Sequence, residues 1–225
     1  MSAASLFVTG TDTGVGKTLA SAALLHALRS RGLRAVGMKP VASGCEATPE
    51  GWRNQDALAL QAASDPRPRY RDVNPFALPS PTAPQLAARE AGVDVDLETI
   101  LAAHARLSDG ADRVVVEGVG GWMAPLADGL EQSALATALR AGVVLVVGLR
   151  LGCLSHARLT ARAIEADGCR LAGWIGSAVD PAFKRRAEYL DLLRAALPAP
   201  CLGVIPNMPA PDPSPASSAI DASPL

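Results

Sequence analysis

Cysteine and histidine are scarce in this chain, and neither residue type is arranged in a recognisable site. The four cysteines, at positions 45, 153, 169 and 201, lie far apart and include no C-x-x-C pair. Isolated cysteines are usually small buried apolar residues, so we expect them to form neither a metal site nor disulfides, in a reducing cytoplasm. The three histidines suggest no Ser/His/Asp constellation.

Charge of one sign and long apolar runs are also lacking. The net charge is −1, so no basic excess points to nucleic acid or to an anionic membrane surface. The longest apolar run, AGVVLVVGL at 141–149, is far shorter than the roughly 18 residues that indicate a membrane span. The N-terminal residues lack the features of a secretion signal. We therefore expect a globular protein that binds neither nucleic acid nor membranes.

Strand and helix patterns alternate along the 225 residues. A short apolar run at 5–10 and a second strand pattern at 34–40 come first, and unbroken apolar runs, typical of strands covered on both faces, follow at 113–118, 143–148 and 171–179. Apolar residues at helical spacing occur at 17–32, 155–168 and 183–197. This alternation predicts a three-layer α/β fold with a mostly parallel central sheet and helices on both faces.

Two proline-rich segments interrupt the alternation. Residues 64–84 combine proline and charge between helical patterns, which fits either a domain linker or an ordered surface excursion. Residues 206–225 contain six prolines and little periodicity, and we expect them to be loosely packed or mobile. Since no internal repeat is present, we predict a single domain over residues 1–225.

The segment GTDTGVGKT, residues 10–18, nearly matches the phosphate-loop pattern G-x-x-x-x-G-K-[ST]. The pattern requires glycine at position 11, where Thr11 stands; the glycine lies one place earlier. The segment follows a strand pattern and opens a helical one, as a phosphate loop must. Backbone N–H groups would surround phosphate oxygens, Lys17 would reach the β- and γ-phosphates, and Thr18 would bind Mg²⁺. The sequence therefore predicts a P-loop NTPase-like fold.

Polar residues end two other predicted strands. Glu117 ends the run RVVVE, and Lys39 ends the second strand pattern. Because the carboxyl ends of parallel strands meet at one edge, Glu117 is a candidate Mg²⁺ ligand. Lys39 is a candidate to bind a second anion, such as a carboxylate or a carbamate. The alternative is a structural lysine whose ammonium extends from the strand end to solvent. Asp56 has the spacing of a helix N-cap, with a second Mg²⁺ contact as the alternative.

Seven blocks, in order between residues 5 and 205, resemble the dethiobiotin synthetase family: FVTGTDTGVGKT, GMKPVASGCEATPEGWRNQDALAL, VNPF, VVVEGVGGWMAPL, VVGLRLGCLSHARLTARAI, LAGWI and AEYLDLL. The family's phosphate loop is one residue longer than the usual one, which accounts for Thr11. The resemblance implies an ATP- and Mg²⁺-dependent cyclo-ligase of biotin biosynthesis. Such an enzyme converts 7,8-diaminopelargonic acid and CO₂ to dethiobiotin through a carbamate and a carbamic–phosphoric anhydride. It also implies a homodimer with active sites at the interface.

The resemblance also assigns roles to residues of this chain by matching position. Lys17, Lys39 and Thr13 are the expected catalytic residues, and Thr18, Asp56 and Glu117 the expected metal ligands. Substrate contacts are expected from Thr13, Lys39, Ser43, Gly120, Gly121 and Ser155. Nucleotide contacts are expected from Gly14, Val15, Gly16, Lys17, Thr18, Asp56, Glu117, Gly118, Val119, Gly120, Ser177, Pro206 and Asn207.

Four positions depart from the family pattern. Gly14 replaces a frequent glutamate, which should add flexibility, and Val119 replaces a frequent alanine. Ser155 stands where an asparagine often contacts the substrate across the dimer. Ser177 replaces an asparagine that reads the adenine edge, so we predict weak discrimination between ATP and other triphosphates. Asn207 is a residue that could compensate.

The alternative function is that of a partitioning-type switch ATPase, which would act through a protein partner. Such ATPases carry a signature lysine in K-G-G-x-G-K-T, and Asp12 stands at that place here. An acidic side chain cannot stabilise the phosphates of a neighbouring subunit. The sequence therefore favours the synthetase.

Overall fold

A computed structural model describes residues 4–208 and 212–225. Its strands are β1 (Ala4–Gly10), β2 (Ala35–Met38), β3 (Val41–Ala42), β4 (Glu46–Thr48), β5 (Gly51–Arg53), β6 (Phe76–Ala77), β7 (Arg113–Gly121), β8 (Pro125–Ala127), β9 (Leu130–Glu131), β10 (Gly142–Gly148), β11 (Leu171–Ser177) and β12 (Cys201–Ile205). Its helices are α1 (Lys17–Ser30), α2 (Gln55–Ala63), α3 (Tyr70–Val73), α4 (Pro84–Ala91), α5 (Leu97–Ser108), α6 (Gln132–Ala138), α7 (Cys153–Ala166), α8 (Arg186–Ala196) and α9 (Pro213–Ser217). Within these described ranges, no helix has the length and apolar character needed to cross a membrane.

Six strands form one parallel sheet in the order β12-β11-β10-β1-β7-β2. The first strand is central, with Phe7 opposite Val143 of β10 on one side and Val116 of β7 on the other. The predicted mostly parallel sheet is confirmed. Because β1, β7 and β2 are neighbours, their carboxyl ends lie side by side at one edge of the sheet.

Alternate residues of the central strand pack on opposite faces. Phe7 belongs to a hydrophobic cluster with Val116, whereas Val8 belongs to a second cluster with Leu24 and Leu28 of α1. Both faces of the sheet are thus covered by apolar side chains. This is why its strands appear in the sequence as unbroken apolar runs rather than alternating ones.

The predicted element boundaries shift by a few residues. The second strand ends at Met38, so Lys39 is the first residue beyond the strand, and its N–H donates to Val73 O at 2.8 Å instead of to the sheet. The pattern at 113–118 continues to Gly121. Helices predicted at 17–32, 155–168 and 183–197 are found at Lys17–Ser30, Cys153–Ala166 and Arg186–Ala196.

The segment 64–84 is an ordered excursion, so the linker alternative is wrong. It contains α3 and β6, and β6 pairs in parallel with β3. Val73, Phe76 and Leu78 are buried in it. These apolar side chains hold the proline-rich segment against the rest of the protein.

The C-terminal residues pack more closely than the sequence predicts. Ala216, Ile220 and Ala222 are buried and belong to the same cluster as Leu28 of α1. The N–H of Asp221 donates to Leu202 O at 2.7 Å. The expectation of a loosely packed tail is therefore wrong for residues 213–222, where sparse apolar residues dock on α1. The part of that prediction that falls on residues 209–211 lies outside the described residues.

Candidate active site

The phosphate loop joins β1 to α1 and depends on glycine at its end. Gly14 and Gly16 have φ angles of 72° and 84°, in the left-handed region that glycine adopts without strain. A Cβ on Gly16 would also lie 2.7 Å from the Ser177 Oγ atom. The loop thus needs glycine at position 16 for conformation and for space, and Ser177 lies directly beside it.

Asp12 is engaged within the loop. Its carboxylate accepts a hydrogen bond from the Thr13 N–H at 2.7 Å and pairs with the guanidinium of Arg150. Its carbonyl oxygen accepts a hydrogen bond from the Lys17 ammonium at 3.1 Å. This acidic side chain therefore fixes the loop's shape and ties it to the end of β10.

Lys17, the first residue of α1, is buried at the floor of the loop. Burial is the main cause that lowers its pKa to about 8, and the nearby Lys39 ammonium lowers the pKa further. Glu117, Asp56 and Asp12 act in the opposite direction without cancelling the effect. A phosphate ligand would therefore meet a lysine whose charge depends on pH near neutrality.

Lys39 forms the centre of a buried charged cluster. Its ammonium nitrogen lies 2.6 Å from Glu117 Oε1, 3.0 Å from Asp56 Oδ2 and 3.2 Å from Gly118 O. Burial alone would lower the pKa of Lys39, but Glu117 and then Asp56 raise it overall. Burial would likewise raise the pKa of Asp56, and the Lys39 ammonium lowers it overall. The Lys39 ammonium thus lies between two carboxyl side chains, those of Glu117 and Asp56.

The N-cap of α2 is Asn54, not Asp56 as the spacing predicts. Its Oδ1 atom accepts hydrogen bonds from the N–H groups of Asp56 and Ala57, at 3.0 and 3.3 Å. Its side-chain nitrogen donates to Ser43 O at 3.3 Å. Because Asn54 satisfies the helix end, Asp56 in the first turn is available to face Lys39.

Two residues that the sequence analysis did not single out support the cluster from behind. The Asn74 side-chain amide donates to Lys39 O at 2.7 Å, and the Tyr70 hydroxyl donates to Asn74 Oδ1 at 3.1 Å. The same Tyr70 oxygen accepts a hydrogen bond from the Asn54 N–H at 2.8 Å. The ordered excursion at 64–84 thus fixes the backbone of both Lys39 and Asn54. The block VNPF was the available signal for Asn74.

A cleft of about 420 Å³ brings most of the predicted site residues together. Its lining consists of Thr13, Gly14, Gly16, Lys17, Thr18, Lys39, Ala42, Ser43, Asn54, Asp56, Glu117, Val119 and Gly120. Of these, Ala42 and Asn54 were not predicted. Since the loop, Lys39 and Glu117 all lie at the carboxyl edge of the sheet, their convergence follows from the parallel topology.

The remaining predicted residues lie around or away from the cleft. Val15 is buried and so does not contribute its side chain to the surface. Ser155 is exposed on the first turn of α7, and Pro206 is exposed after β12. Asn207 is also exposed, and its side-chain nitrogen donates to Ala178 O at 3.0 Å. Asn207 follows β12, and the neighbouring strand β11 ends at Ser177.

The cleft offers a few oxygen ligands, from Thr18, Asp56 and Glu117. They suit a magnesium ion that is also bound by substrate phosphates better than a metal whose ligands all come from the protein. The described residues contain no group of three His, Cys, Asp or Glu side chains that could hold a metal. Thr18 donates its hydroxyl to Glu117 Oε1 at 3.0 Å, and the buried Glu117 Oε2 has no hydrogen-bond partner among the described residues. Magnesium typically takes one or two carboxylates together with substrate phosphates. Thr18, Asp56 and Glu117 suit that chemistry.

Comparison with known proteins identifies the family. A family model described as an AAA domain matches residues 4–214. The ATP-dependent dethiobiotin synthetase BioD of Xanthomonas euvesicatoria pv. vesicatoria (strain 85-10) is 62% identical over 206 residues, which are 92% of each chain. The chain belongs to the dethiobiotin synthetase family. BioD of Xylella fastidiosa (strain 9a5c) is 59% identical over 93% of this chain and 92% of its own. The predicted family resemblance is confirmed.

Solved structures of low sequence identity share the fold of this synthetase family member. It resembles a chain of the MinC:MinD cell division protein complex of Aquifex aeolicus, with a TM-score of 0.59 and 18% identity over 96% of this chain and 92% of that one. It also resembles the signal recognition particle receptor FtsY of Elizabethkingia anophelis in complex with GDP, with a TM-score of 0.53 and 16% identity over 99% of this chain and 65% of that one. Identities this low establish a shared fold alone. The family assignment rests on the dethiobiotin synthetase relatives.

Proposed function

We propose that the chain catalyses the ATP- and Mg²⁺-dependent closure of 7,8-diaminopelargonic acid with CO₂ to dethiobiotin, with release of ADP and phosphate. The observation that carries the proposal is a cleft in which two lysines and two carboxylates meet beside a phosphate loop, in a member of this family. A switch ATPase needs the phosphate loop and a metal site. A second buried lysine supports phosphoryl transfer to another anion.

The reaction requires three bond-forming steps. One amine of the substrate adds to CO₂ and loses a proton, which gives a carbamate. A carbamate oxygen attacks the γ-phosphorus and ADP leaves, which gives a carbamic–phosphoric anhydride. The second amine attacks the carbonyl carbon, phosphate leaves, and the ureido ring closes. Holding the carbamate next to the γ-phosphate makes the transfer effectively intramolecular.

The two lysines have distinct proposed roles. Lys17, at the floor of the phosphate loop, would bind β- and γ-phosphate oxygens. Lys39 would bind carbamate and γ-phosphate oxygens and stabilise the charge of the transfer. Thr13 and Ser43 line the same cleft and are the proposed neighbours of the diamine.

Thr18, Asp56 and Glu117 would hold Mg²⁺. The atom that best supports this assignment is Glu117 Oε2, which has no hydrogen-bond partner within residues 4–208 and 212–225. The ion would neutralise negative charge on the phosphates. The remaining chemistry of orientation and charge stabilisation is assigned to the protein's own lysines.

The proposal includes a cytoplasmic homodimer in which Ser155 contacts the partner's substrate. Leu151 and Leu159, on either side of Ser155, are exposed by 80% and 62%. Apolar side chains this exposed support a protein contact at this end of α7. Size-exclusion chromatography with light scattering tests the dimer.

Incubation of the purified protein with 7,8-diaminopelargonic acid, bicarbonate and Mg·ATP tests the function. We expect dethiobiotin, detected by mass spectrometry, together with ADP in equal amount. ATP hydrolysis without ring product would overturn the proposal and favour a switch ATPase.

A further inference from the structure

The backbone that follows Glu117 leaves the regular ladder of the sheet. Val8 of β1 is opposite Glu117, but Gly10 is opposite Gly121, so β7 advances four residues while β1 advances two. Such a bulge leaves backbone groups without strand partners. Val119, at the centre of this bulge, lines the cleft.

Gln132 supplies the missing partner. It is the first residue of α6 and is fully buried. Its Oε1 atom accepts the Val119 N–H, and its Nε2 atom donates to Val119 O, both at 2.9 Å. The same Nε2 atom donates to Gly121 O. A carboxamide has two donor hydrogens and one acceptor oxygen, so the side chain pairs with the bulge as a neighbouring strand would.

The space beside Gly118 is shaped around this carboxamide. A Cβ on Gly118 would lie 2.1 Å from Gln132 Oε1, a distance at which the two atoms could not coexist. The close approach of Gln132 therefore depends on glycine at 118. Glycine there and a buried glutamine at 132 form one matched arrangement.

One peptide unit links Gln132 to the charged cluster. The Val119 N–H that Gln132 accepts and the Gly118 carbonyl belong to the same peptide bond. That carbonyl oxygen accepts a hydrogen bond from the Lys39 ammonium at 3.2 Å. The N–H of this peptide is therefore fixed by Gln132, and its carbonyl oxygen in turn binds the Lys39 ammonium.

We infer that Gln132 is a positioning residue that fixes the Gly118–Val119 peptide and, through it, the Lys39 ammonium and the cleft wall. Gln132 is not among the residues that line the cleft. Its effect on catalysis rests on the proposed function, whereas its effect on the backbone does not.

Amide hydrogen exchange measured by NMR tests the backbone effect without any substrate. Gln132→Met keeps a similar size but removes the carboxamide, so the Val119 amide should exchange at least tenfold faster. The Val144 amide in β10 should be unchanged. Gln61→Met is the matched control, because the Gln61 amide also donates to a backbone carbonyl, Pro68 O at 2.9 Å, away from the cleft. Unchanged Val119 exchange in Gln132→Met would overturn the inference.

Kinetics separate positioning from simple core filling. In Gln132→Met we expect kcat per folded molecule to fall at least tenfold, because the peptide that holds the Lys39 ammonium loses its partner. A purely structural role would lower the melting temperature and leave kcat per folded molecule unchanged, which would also contradict the inference. If Gln132→Met does not fold, Gln132→Asn, one methylene shorter, undergoes the same two measurements.

The two proposals fail in different ways. A wild-type protein that makes no dethiobiotin contradicts the proposed function and leaves the exchange result standing. Unchanged exchange in the variant contradicts the role of Gln132, whatever the wild-type enzyme makes.

Discussion

The Lys39 ammonium lies between Glu117 and Asp56, 2.6 Å from one carboxylate and 3.0 Å from the other. The side chains of Lys39 and Glu117 are almost entirely buried, with 4% and 0% of their surface exposed. A buried carboxylate of this kind requires a paired charge. Lys39 is thus both the proposed catalytic cation and the counter-ion of two proposed metal ligands.

Replacing Lys39 should separate nucleotide binding from catalysis. We expect Lys39→Ala to abolish dethiobiotin formation while the Kd for ATP, measured by calorimetry, changes little, since Lys17 and the loop backbone remain. Lys184→Ala is the control, because Lys184 is exposed. A fully active Lys39→Ala protein would demote Lys39 to a structural residue.

The same cluster predicts a magnesium-dependent gain in stability. Lys39→Met leaves Glu117 buried without its partner, which should cost on the order of 3–5 kcal/mol in free energy of unfolding. Mg²⁺ should restore part of this loss, so its effect on the melting temperature should be larger in Lys39→Met than in wild type. Equal shifts in the two proteins would argue against a metal at Glu117.

Lys17 predicts that nucleotide affinity depends on pH. Its pKa is lowered to about 8, mainly by burial, so the ammonium is present below pH 8 and is lost above it. Since phosphate binds the ammonium form, the Kd for ATP should rise toward tenfold per pH unit above about pH 8. Calorimetry from pH 6.5 to 9.5 should show this rise, with proton uptake on binding.

Amine labelling checks the same group directly. The chain has three lysines, Lys17, Lys39 and Lys184, and only the last is exposed. The rate of modification at Lys17, followed by peptide mass spectrometry, should have a midpoint near pH 8, with Lys184 as internal reference. A midpoint near 10.5 would contradict the lowered pKa.

Ser177 predicts weak selectivity for the base. It is buried beside Gly16, and a serine hydroxyl cannot form the paired donor and acceptor contacts of an asparagine amide. The kcat/KM values for ATP, CTP and GTP should therefore differ by less than a hundredfold, about 2.7 kcal/mol. A larger preference for ATP would point to another base-reading group, of which Asn207 is the nearest candidate. Asn207→Ala would then remove the preference.

The docked tail should contribute to stability. Ile220 belongs to the cluster formed with α1, so Ile220→Ala should lower the free energy of unfolding by about 2 kcal/mol or more. Leu192→Ala is the matched control, because Leu192 is 53% exposed and its truncation should change stability little. Urea denaturation followed by circular dichroism measures both. Equal midpoints for the two variants would mean that the tail packs without stabilising the protein.

The central sheet and the main residues of the cleft were predictable because each leaves a local signal. Apolar runs mark the strands, and Lys17, Lys39 and Glu117 follow or end elements whose parallel packing brings their ends together. The N-cap was misassigned because Asn54 and Asp56 are both capping types two positions apart. Only the packed helix shows which one faces its N–H groups.

Gln132 and the tail could not be predicted for a different reason. A glutamine between predicted elements reads as a polar surface residue, and its burial arises from a bulge in β7. Ile220 is isolated among prolines, and the cluster that buries it includes Leu24 and Leu28 of α1, nearly the whole chain away in sequence. Neither residue lies in a periodic apolar pattern that would have predicted its burial.

The central place of β1 has a consequence for biosynthesis. This strand leaves the ribosome well before its partners, β7 and β10, which begin at residues 113 and 142. At roughly 5–20 residues per second, an apolar strand with two unpaired edges waits for about 5–20 seconds before its first neighbour is made. During synthesis, the strand that leads into the phosphate loop is therefore open to non-native pairing until β7 has been made.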